Sequence, residues 1–355
     1  MTMLARPARA FGLLPPEPAH ALTLWALRQG LGGRRTRRDD PILKTQALGQ
    51  TFANPIGLAA GFDKNAEAVI PVLRLGFGFT EAGSVTPKPQ PGNPKPRVFR
   101  WRGERAVINR LGFNNAGLTA FAERLRALPP PGWRPGPVGA NIGRNKETAD
   151  GIADYKTGIR ALAPLADYLV INVSSPNTPG LRGLQDPEAL RALLEAALAA
   201  RGPEGPPILI KIAPDLSNDA IAELTELTCA VAVDGARVAG LIVSNTTVAR
   251  PEAMPAALRD EPGGLSGPPL FERATQALRV AARAAAGRLT LVGTGGVASG
   301  ADAYAKIRAG ASLVQLYTAL IYAGPGLIDE IKRDLARLLR RDGFASVSQA
   351  VGVDL

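Results

Sequence analysis

The chain has 355 residues, of which 46% are hydrophobic and 21% charged, and its formal net charge is +11. This composition is typical of a globular protein with one large core. No apolar run reaches the ~20 residues that cross a bilayer, so any membrane contact is expected to be peripheral. The single cysteine, Cys229, excludes an internal disulfide and a cysteine-based zinc site, and we expect it to be buried inside a helix. The only histidine, His20, precedes the other predicted elements, which argues against a Ser-His-Asp triad or a multi-histidine metal centre.

A short apolar helix followed by basic residues is predicted near the amino terminus. The helix covers residues 18–28 and contains Trp25. The basic cluster after it consists of Arg34, Arg35, Arg37 and Arg38. Residues 1–44 contain eight basic and three acidic residues, so this segment carries +5 of the net charge. The composition is typical of an interfacial anchor on anionic lipid, and the alternative is a helix packed on the protein's own surface beside a solvated basic loop.

Two kinds of targeting signal are alternatives for the same segment, a secretory signal and an organellar transit peptide. Pro15 and Pro16 interrupt the early apolar run and no small-residue cleavage site follows, which argues against a secretory signal. Arg6, Arg9 and the scarcity of acidic residues leave an organellar transit peptide open.

Eight short apolar runs lie between Thr51 and Leu320, and each ends in polar or glycine residues. Runs such as 168–171 are continuously apolar, as expected for parallel strands buried on both faces. Helical stretches follow the runs, and eight such units over about 270 residues predict a (β/α)8 TIM barrel, whose chemistry lies at the carboxyl ends of the strands. The predicted strand ends are residues 59–64, 82–84, 141–145, 172–177, 211–215, 244–247, 293–296 and 317–318.

The glycine-rich residues 293–298 match the G-x-G-x-x-A dinucleotide pattern but follow the seventh strand instead of the first. Because residues 309–317 contain no acid, the Rossmann interpretation fails. In a barrel, the loops after strands seven and eight commonly bind phosphate through backbone N–H groups. Gly295, Gly296, Tyr317 and Thr318 suit that role, which indicates a phosphorylated substrate or a phosphate-bearing cofactor such as FMN.

Asparagines recur at or just beyond the strand ends, and their paired donors and acceptors favour the flat heterocycle of a cofactor. They are Asn141, Asn172, Asn177 and Asn245, with Asn109 in an excursion between strands. A single asparagine more often caps a turn, but four at corresponding places weaken that explanation.

Lys64 and Lys211 end the first and fifth strands. One of them is suited to stabilising charge on a reduced cofactor and the other to binding a substrate carboxylate, with Schiff-base chemistry as the rival. Lys306, on the predicted helix after the glycine loop, is expected at the surface.

Longer motifs connect these positions. They are LAAGFDKN at 58–65, GSVTP at 83–87, PGNPKPRVFR at 91–100, NRLGFNN at 109–115, NVSSPNTPGLR at 172–182, KIAPD at 211–215 and GGLSG at 263–267. These motifs resemble the signatures of the dihydroorotate dehydrogenases of the membrane-associated, quinone-dependent class 2, and the resemblance extends from about residue 11 to residue 340. It implies a TIM barrel with a small amino-terminal helical extension that oxidises (S)-dihydroorotate to orotate in de novo pyrimidine (UMP) biosynthesis, using FMN and a membrane quinone.

The resemblance assigns Ser175 as the base that removes the C5 proton while hydride leaves C6 for the flavin. Soluble members of the family use cysteine there, so serine, like the amino-terminal helix, indicates the quinone-linked class. An unassisted serine is a weak base and needs a proton acceptor or a water relay, which the sequence does not identify.

The remaining site residues carry over from the family position by position. Those implied to bind FMN are Ala60, Gly61, Phe62, Asp63, Lys64, Ser84, Asn141, Asn172, Lys211, Ser244, Gly267, Gly296, Tyr317 and Thr318. Those implied to bind the substrate are Lys64, Asn109, Arg110, Leu111, Gly112, Phe113, Asn172, Asn177, Asn245 and Thr246. Those implied to line the quinone tunnel are His20, Arg100 and Tyr317. Ser244 and Thr294 stand where the family often has threonine and valine, and both replacements are small enough to be tolerated.

The resemblance also implies the organisation and the partners. We expect an extension at residues 1–44 associated with membrane and quinone, an FMN-binding barrel at 45–343 and a tail at 344–355. The expected partners are dihydroorotate or orotate and a ubiquinone-type quinone, with peripheral association at the cytoplasmic face of a bacterial inner membrane. No nucleic acid, metal or obligatory protein partner is expected. The family pattern does not explain the basic cluster.

Three other functions remain in competition at this point. A tRNA dihydrouridine synthase would account for the basic charge, but its chemistry normally uses a cysteine acid, whereas Cys229 lies in a predicted helix. A lysine-dependent aldolase would bind no flavin. A non-catalytic basic binding protein would not need polar residues at every strand end.

Overall fold

The computed structural model describes residues 14–32 and 38–355. Arg34, Arg35 and Arg37 of the basic cluster lie outside the described residues, as do Arg6 and Arg9.

The strands of the described residues are β1 (Thr45–Ala47), β2 (Gln50–Phe52), β3 (Ile56–Leu58), β4 (Phe79–Val85), β5 (Val98–Trp101), β6 (Ala106–Asn109), β7 (Val138–Ile142), β8 (Tyr168–Asn172), β9 (Ile208–Ile212), β10 (Ala232–Val233), β11 (Ala236–Arg237), β12 (Gly240–Val243), β13 (Gly264–Ser266), β14 (Thr290–Thr294) and β15 (Leu313–Leu316). The α-helices are α1 (Pro16–Arg28), α2 (Val69–Arg74), α3 (Leu118–Arg126), α4 (Gly151–Leu162), α5 (Pro187–Arg201), α6 (Asn218–Ala230), α7 (Ala256–Arg259), α8 (Phe271–Ala285), α9 (Gly300–Arg308), α10 (Thr318–Ala323), α11 (Gly326–Arg341) and α12 (Val347–Ala350).

Eight parallel strands close into a barrel in the order β3-β4-β7-β8-β9-β12-β14-β15 and back to β3. Every residue of β8 and of β9 is buried, because the barrel interior covers one face of each strand and the outer helices cover the other. The predicted (β/α)8 fold is therefore confirmed, and each predicted strand end lies at the end of a barrel strand.

An antiparallel hairpin of β1 and β2 closes the amino-terminal end of the barrel. Phe52 from this hairpin packs edge-on against Phe79 with ring centroids 5.4 Å apart, and Phe79 packs against Tyr168 at 6.4 Å. Leu209, Ile242 and Leu313 complete the same buried layer. The hairpin leaves the carboxyl ends of the strands as the end that is open for a site.

A separate three-stranded sheet of β5, β6 and β13 lies beside the barrel mouth. Its strands come from the two long excursions, after β4 and after β12, and pair antiparallel. Trp101, Ile108 and Leu265 form a small apolar cluster that packs this sheet. The excursions thereby bring Asn109 and Gly267 to the mouth.

Helix α1 lies against this side of the molecule and begins two residues before the predicted start. It buries Ala19 and Leu27, while Trp25 remains 52% exposed. Its Glu17 carboxylate forms an ion pair with Arg97 at 2.8 Å. No helix of the described residues is long and apolar enough to cross a membrane.

Three expectations need adjustment. Residues 344–355, expected as a tail, contain α12 and pack on α9, where the Gly352 N–H donates to the Ile307 carbonyl at 3.1 Å. Cys229 lies in α6 as expected but is only half-buried. Lys306 is not at the surface: it has no exposed area, because it shares the inward face of α9 with Ala303 and Ile307.

Candidate active site

A cavity of about 880 Å³ runs from the carboxyl ends of the barrel strands to α1. Its volume is within the range of pockets for cofactors and small molecules. Most of the predicted site residues line it: Ala60, Gly61, Phe62, Lys64, Ser84, Asn172, Lys211, Ser244, Gly267, Gly296, Tyr317 and Thr318 from the cofactor set, Asn109, Leu111, Gly112, Phe113, Asn177, Asn245 and Thr246 from the substrate set, and Ser175, His20 and Arg100.

Three predicted site residues do not line the cavity. The buried Asp63 carboxylate accepts hydrogen bonds from the backbone N–H groups of Glu67 and Ala68 at 2.8 and 2.7 Å, so it orders the loop after β3. Arg110 forms an ion pair with Glu261. Asn141 lies fully buried one layer beneath the cavity.

The amide groups at the strand ends form one hydrogen-bonded set. Asn172 Nδ2 donates to Ser84 Oγ at 2.9 Å and to Asn141 Oδ1 at 3.2 Å, and Ser84 Oγ donates to the same Asn141 oxygen. Asn141 Nδ2 donates to Glu81 Oε1 at 2.7 Å. Glu81 was not among the predicted site residues, although an acidic residue inside an otherwise uncharged strand was a visible signal.

Three lysines line the cavity: Lys64, Lys95 and Lys211. Lys95 forms an ion pair with Glu17 at 3.4 Å, whereas Lys64 and Lys211 make no hydrogen bond or ion pair within the described residues. Lys211 is 5% exposed, and burial lowers its pKa while Glu81 opposes that shift. The Lys64 side chain is partly exposed, because it faces the cavity. Its ammonium nevertheless loses hydration among the surrounding protein atoms, which lowers its pKa to about 8, and the charge of Glu17 partly opposes that shift. Both ammonium groups are thus placed to bind negative charge in the cavity.

Ser175 lies in the loop after β8 and is 6% exposed. Its Oγ accepts a hydrogen bond from the backbone N–H of Asn177 at 3.2 Å. Arg182 connects this loop to its neighbours: its guanidinium donates to the Ser174 carbonyl at 3.1 Å and to the Thr246 carbonyl at 3.2 Å, and it pairs with Asp215 at 3.0 Å. The loops after β8, β9 and β12 are therefore held together around Ser175.

The glycine loop after β14 packs closely against the start of α8. Gly295 and Gly296 have φ angles of +103° and +79°, which favour glycine. A Cβ atom at Gly296 would lie 2.5 Å from the Cα of Phe271. Gly295 and Gly296 line this end of the cavity through their backbone, together with Thr318, whose Oγ1 donates to Ser266 Oγ at 2.9 Å. A glycine loop after the seventh barrel strand is a common place for a phosphate in this fold.

Aromatic rings line the route from the mouth to α1. His20 packs edge-on against Phe62 with centroids 5.3 Å apart, and Phe62 packs against Tyr317 at 5.6 Å. Burial, reinforced by the positive charge of Lys64, lowers the pKa of His20 to about 4, so its imidazole is neutral at pH 7. Arg100, from β5, donates to the Leu14 carbonyl at 2.7 Å.

The fold and its mouth define a TIM-barrel enzyme with a buried polar pocket connected to a surface helix. The family model described as dihydroorotate dehydrogenase matches residues 42–339. The Azorhizobium caulinodans protein named dihydroorotate dehydrogenase (quinone) is 53% identical over 349 residues, covering 97% of this chain and 96% of that protein. The mouse protein named dihydroorotate dehydrogenase (quinone), mitochondrial, is 50% identical over 353 residues, covering 96% of this chain and 87% of that protein.

A solved structure extends the similarity to the fold. The ligand-free type DHODH from Eimeria tenella superposes with a TM-score of 0.90 at 40% identity, covering 96% of this chain and 99% of that one. The chain therefore belongs to the dihydroorotate dehydrogenase family and is an oxidoreductase.

Proposed function

We propose that this enzyme oxidises (S)-dihydroorotate to orotate with FMN as cofactor and a ubiquinone-type quinone as electron acceptor, a step of de novo pyrimidine (UMP) biosynthesis. The observation that carries the proposal is the single cavity that connects Ser175, Lys64 and Lys211 at the barrel mouth to α1. The printed names of the curated relatives support the same substrate and the same class of acceptor.

The residues present fit FMN. The glycine loop at Gly295 and Gly296, which lines the cavity through its backbone, suits its phosphate, and the amides around Asn172 suit the edge of its ring system. Lys211 presents an unpaired cation among the described residues to the same space. When bound, FMN supplies a hydride acceptor and passes the electrons on to the quinone.

Lys64 is the cation proposed to bind the substrate carboxylate. With a pKa of about 8 it is mostly protonated at pH 7. Asn177 and Asn245 provide amide partners for the substrate ring, and both are oriented by the protein: Asn177 Nδ2 donates to the Asn109 carbonyl at 3.1 Å, and Asn245 Nδ2 donates to Ser174 Oγ at 2.9 Å. This placement brings the substrate next to Ser175.

Ser175 Oγ is proposed to take the C5 proton, while the C6 hydrogen leaves with its electron pair, so that the C5–C6 bond becomes the double bond of orotate. The Asn177 N–H at 3.2 Å stabilises negative charge on Oγ. Within the described residues, no carboxylate or imidazole hydrogen-bonds to Ser175, so we expect water in the cavity to take the proton onward.

The quinone is proposed to enter beside α1, where the enzyme contacts the membrane as a peripheral protein, at the cytoplasmic face of a bacterial inner membrane. Trp25 and Leu31 are 52% and 57% exposed on this side and line the outer part of the cavity. The neutral His20 places no charge on the route. Exposed apolar side chains with a tryptophan at the rim suit an acceptor that is dissolved in lipid.

The test is the colour and the electron transfer of the purified full chain. We expect yellow protein that releases FMN on denaturation, is bleached by dihydroorotate without oxygen, and recovers its colour when a short-chain ubiquinone is added. Colourless protein that takes up no FMN would refute the cofactor. Yellow protein that dihydroorotate does not bleach would refute the substrate.

A further inference from the structure

Glu81 is a buried carboxylate that the proposed reaction does not use. It lies on β4, has no exposed area and points into the barrel beneath the cavity. Each of its oxygens accepts one amide hydrogen bond: Oε1 from Asn141 Nδ2 and Oε2 from Gln315 Nε2, both at 2.7 Å. A carboxylate in such a place is costly unless it orients or balances other groups.

The two hydrogen bonds determine which way two amides point. Because Asn141 gives its NH2 group to Glu81, its oxygen faces Ser84 and Asn172, which both donate to it. Because Gln315 gives its NH2 group to Glu81, its oxygen accepts from Thr294 Oγ1 at 3.2 Å.

Asn141 and Gln315 both donate to residue 81, so that both are satisfied only by a side chain with two acceptor atoms. A carboxylate has two, whereas an amide would turn its own NH2 group toward one of the two donors. Ser84, Asn172 and Thr294 all line the cavity, so Glu81 determines the hydrogen-bonding pattern at the cavity wall.

Glu81 also supplies charge. Its attraction acts on Lys211, whose ammonium opens onto the cavity without an ion pair in the described part of the chain. The other ionisable groups facing this interior are Tyr168, which is kept neutral because burial and the nearby acids raise the pKa of its phenol, and Lys64, which lies across the mouth. Glu81 is thus the anion that favours the protonated form of Lys211.

We propose that Glu81 is a positioning residue for the cofactor site, which sets the orientation of the Asn141 and Gln315 amides and balances the charge of Lys211. The inference rests on the proposed use of FMN. It predicts that loss of the Glu81 charge weakens FMN binding and makes the protonation of Lys211 depend on the redox state of the flavin.

The experiment compares the wild-type holoenzyme with Glu81→Gln, which removes the charge at nearly constant volume. We expect FMN to dissociate about tenfold to a hundredfold more readily, because one buried amide loses its partner. The pKa of Lys211 should fall further, because the anion that favours its protonated form is gone. At pH values above the lowered pKa of Lys211, each two-electron reduction of the flavin is then accompanied by the uptake of about one additional proton. The measured quantity is the midpoint potential of the flavin, which should fall more steeply with pH than in the wild type.

Two further variants make the test specific. Glu226→Gln is the matched control, since this glutamate is exposed on α6 and pairs with Arg288 away from the cavity; it should leave FMN retention and the pH slope unchanged. The double variant E81Q/N141D moves the carboxylate to the neighbouring position. The amide introduced on β4 then donates to the carboxylate introduced on β7 and accepts from Gln315, while that carboxylate accepts from Ser84 and Asn172. We expect this exchange to restore FMN retention and the wild-type dependence of the midpoint potential on pH. The same result is expected from the double variant even if E81Q alone does not fold.

A Glu81→Gln enzyme with wild-type FMN retention and wild-type slope would overturn the inference. A folded double variant that binds FMN no better than E81Q would also overturn it. If E81Q is insoluble, a folded double variant that does not bind FMN would have the same meaning. These readouts need no dihydroorotate, so a wild-type protein that binds FMN but is not reduced by this substrate would count against the proposed function alone.

Discussion

Lys306→Met tests the most unusual charge in the barrel wall. Lys306 lies fully buried on α9, and its Nζ is 5.0 Å from the centroid of the Phe271 ring and has no hydrogen-bond partner within the described residues. Burial lowers its pKa from 10.5 to about 7, although Asp302 and Glu272 oppose the shift. A buried ammonium without a hydrogen-bond partner should therefore destabilise the fold.

The magnitude follows from the two pKa values. Between pH 7 and pH 10.5 the unfolded chain keeps a proton on Lys306 that the folded chain has lost, so the free energy of unfolding rises with pH across this window. The destabilisation is fully present below pH 7, amounts to about 4 kcal/mol near that pH, and vanishes as the pH approaches 10.5. Methionine has a similar shape and no charge, so the variant should be more stable at pH 7 by up to about this amount.

The assay is urea unfolding of wild-type and variant holoenzyme, followed by circular dichroism from pH 6 to pH 10 at saturating FMN. We expect the two free energies of unfolding to differ most at low pH and to converge at high pH. Lys44→Met, at an exposed position, is the control and should show no pH-dependent gain. Parallel curves for wild type and Lys306→Met would refute the reasoning.

The other predictions concern the site. Ser175→Ala should keep FMN but lose about 10²–10⁴-fold in the rate of flavin reduction by dihydroorotate, and Ser175→Cys should retain more activity than alanine; near-normal turnover of the alanine variant in stopped-flow measurements would reject the assignment. Lys211→Ala should weaken FMN binding and slow flavin reduction together, both measured from flavin absorbance, whereas Lys44→Ala should do neither; equal small effects would make Lys211 merely structural. Removal of residues 1–40 should leave a yellow barrel that dihydroorotate still reduces in a single turnover, but that passes electrons slowly to long-chain quinones and binds anionic vesicles poorly in flotation assays; unchanged quinone turnover, or a full chain that ignores such vesicles, would contradict the proposed role of α1.

Residues whose position is determined by the strand that they end were predictable from the sequence. Strands such as β8 and β9 are buried on both faces, so they appear as continuous apolar runs, and their ends are marked by the polar residues that follow. Asn172 and Lys211 could therefore be placed at the mouth before the fold was known, and the motifs around them indicated the family that the comparisons confirm.

Residues whose surroundings come from distant parts of the chain were not predictable in the same way. Glu81 receives its partners from β7 and β15, 60 and 234 residues away along the chain, so that no local pattern shows that its charge is satisfied. Arg110 matched a binding motif, but its partner Glu261 lies 151 residues away, and their ion pair keeps it out of the cavity.

The sequence by itself determined the barrel, the order of its strand ends and the chemistry gathered at one end, because these follow from apolar periodicity and from residues that are adjacent in the chain. The tertiary structure decided which of these side chains face the cavity, which of the lysines are buried, and that α1 lies against the mouth. Lys306 illustrates the reason: its helix shows which residues share its face, but only the packing of α9 in the barrel wall decides that this face is turned inward and leaves the ammonium without water.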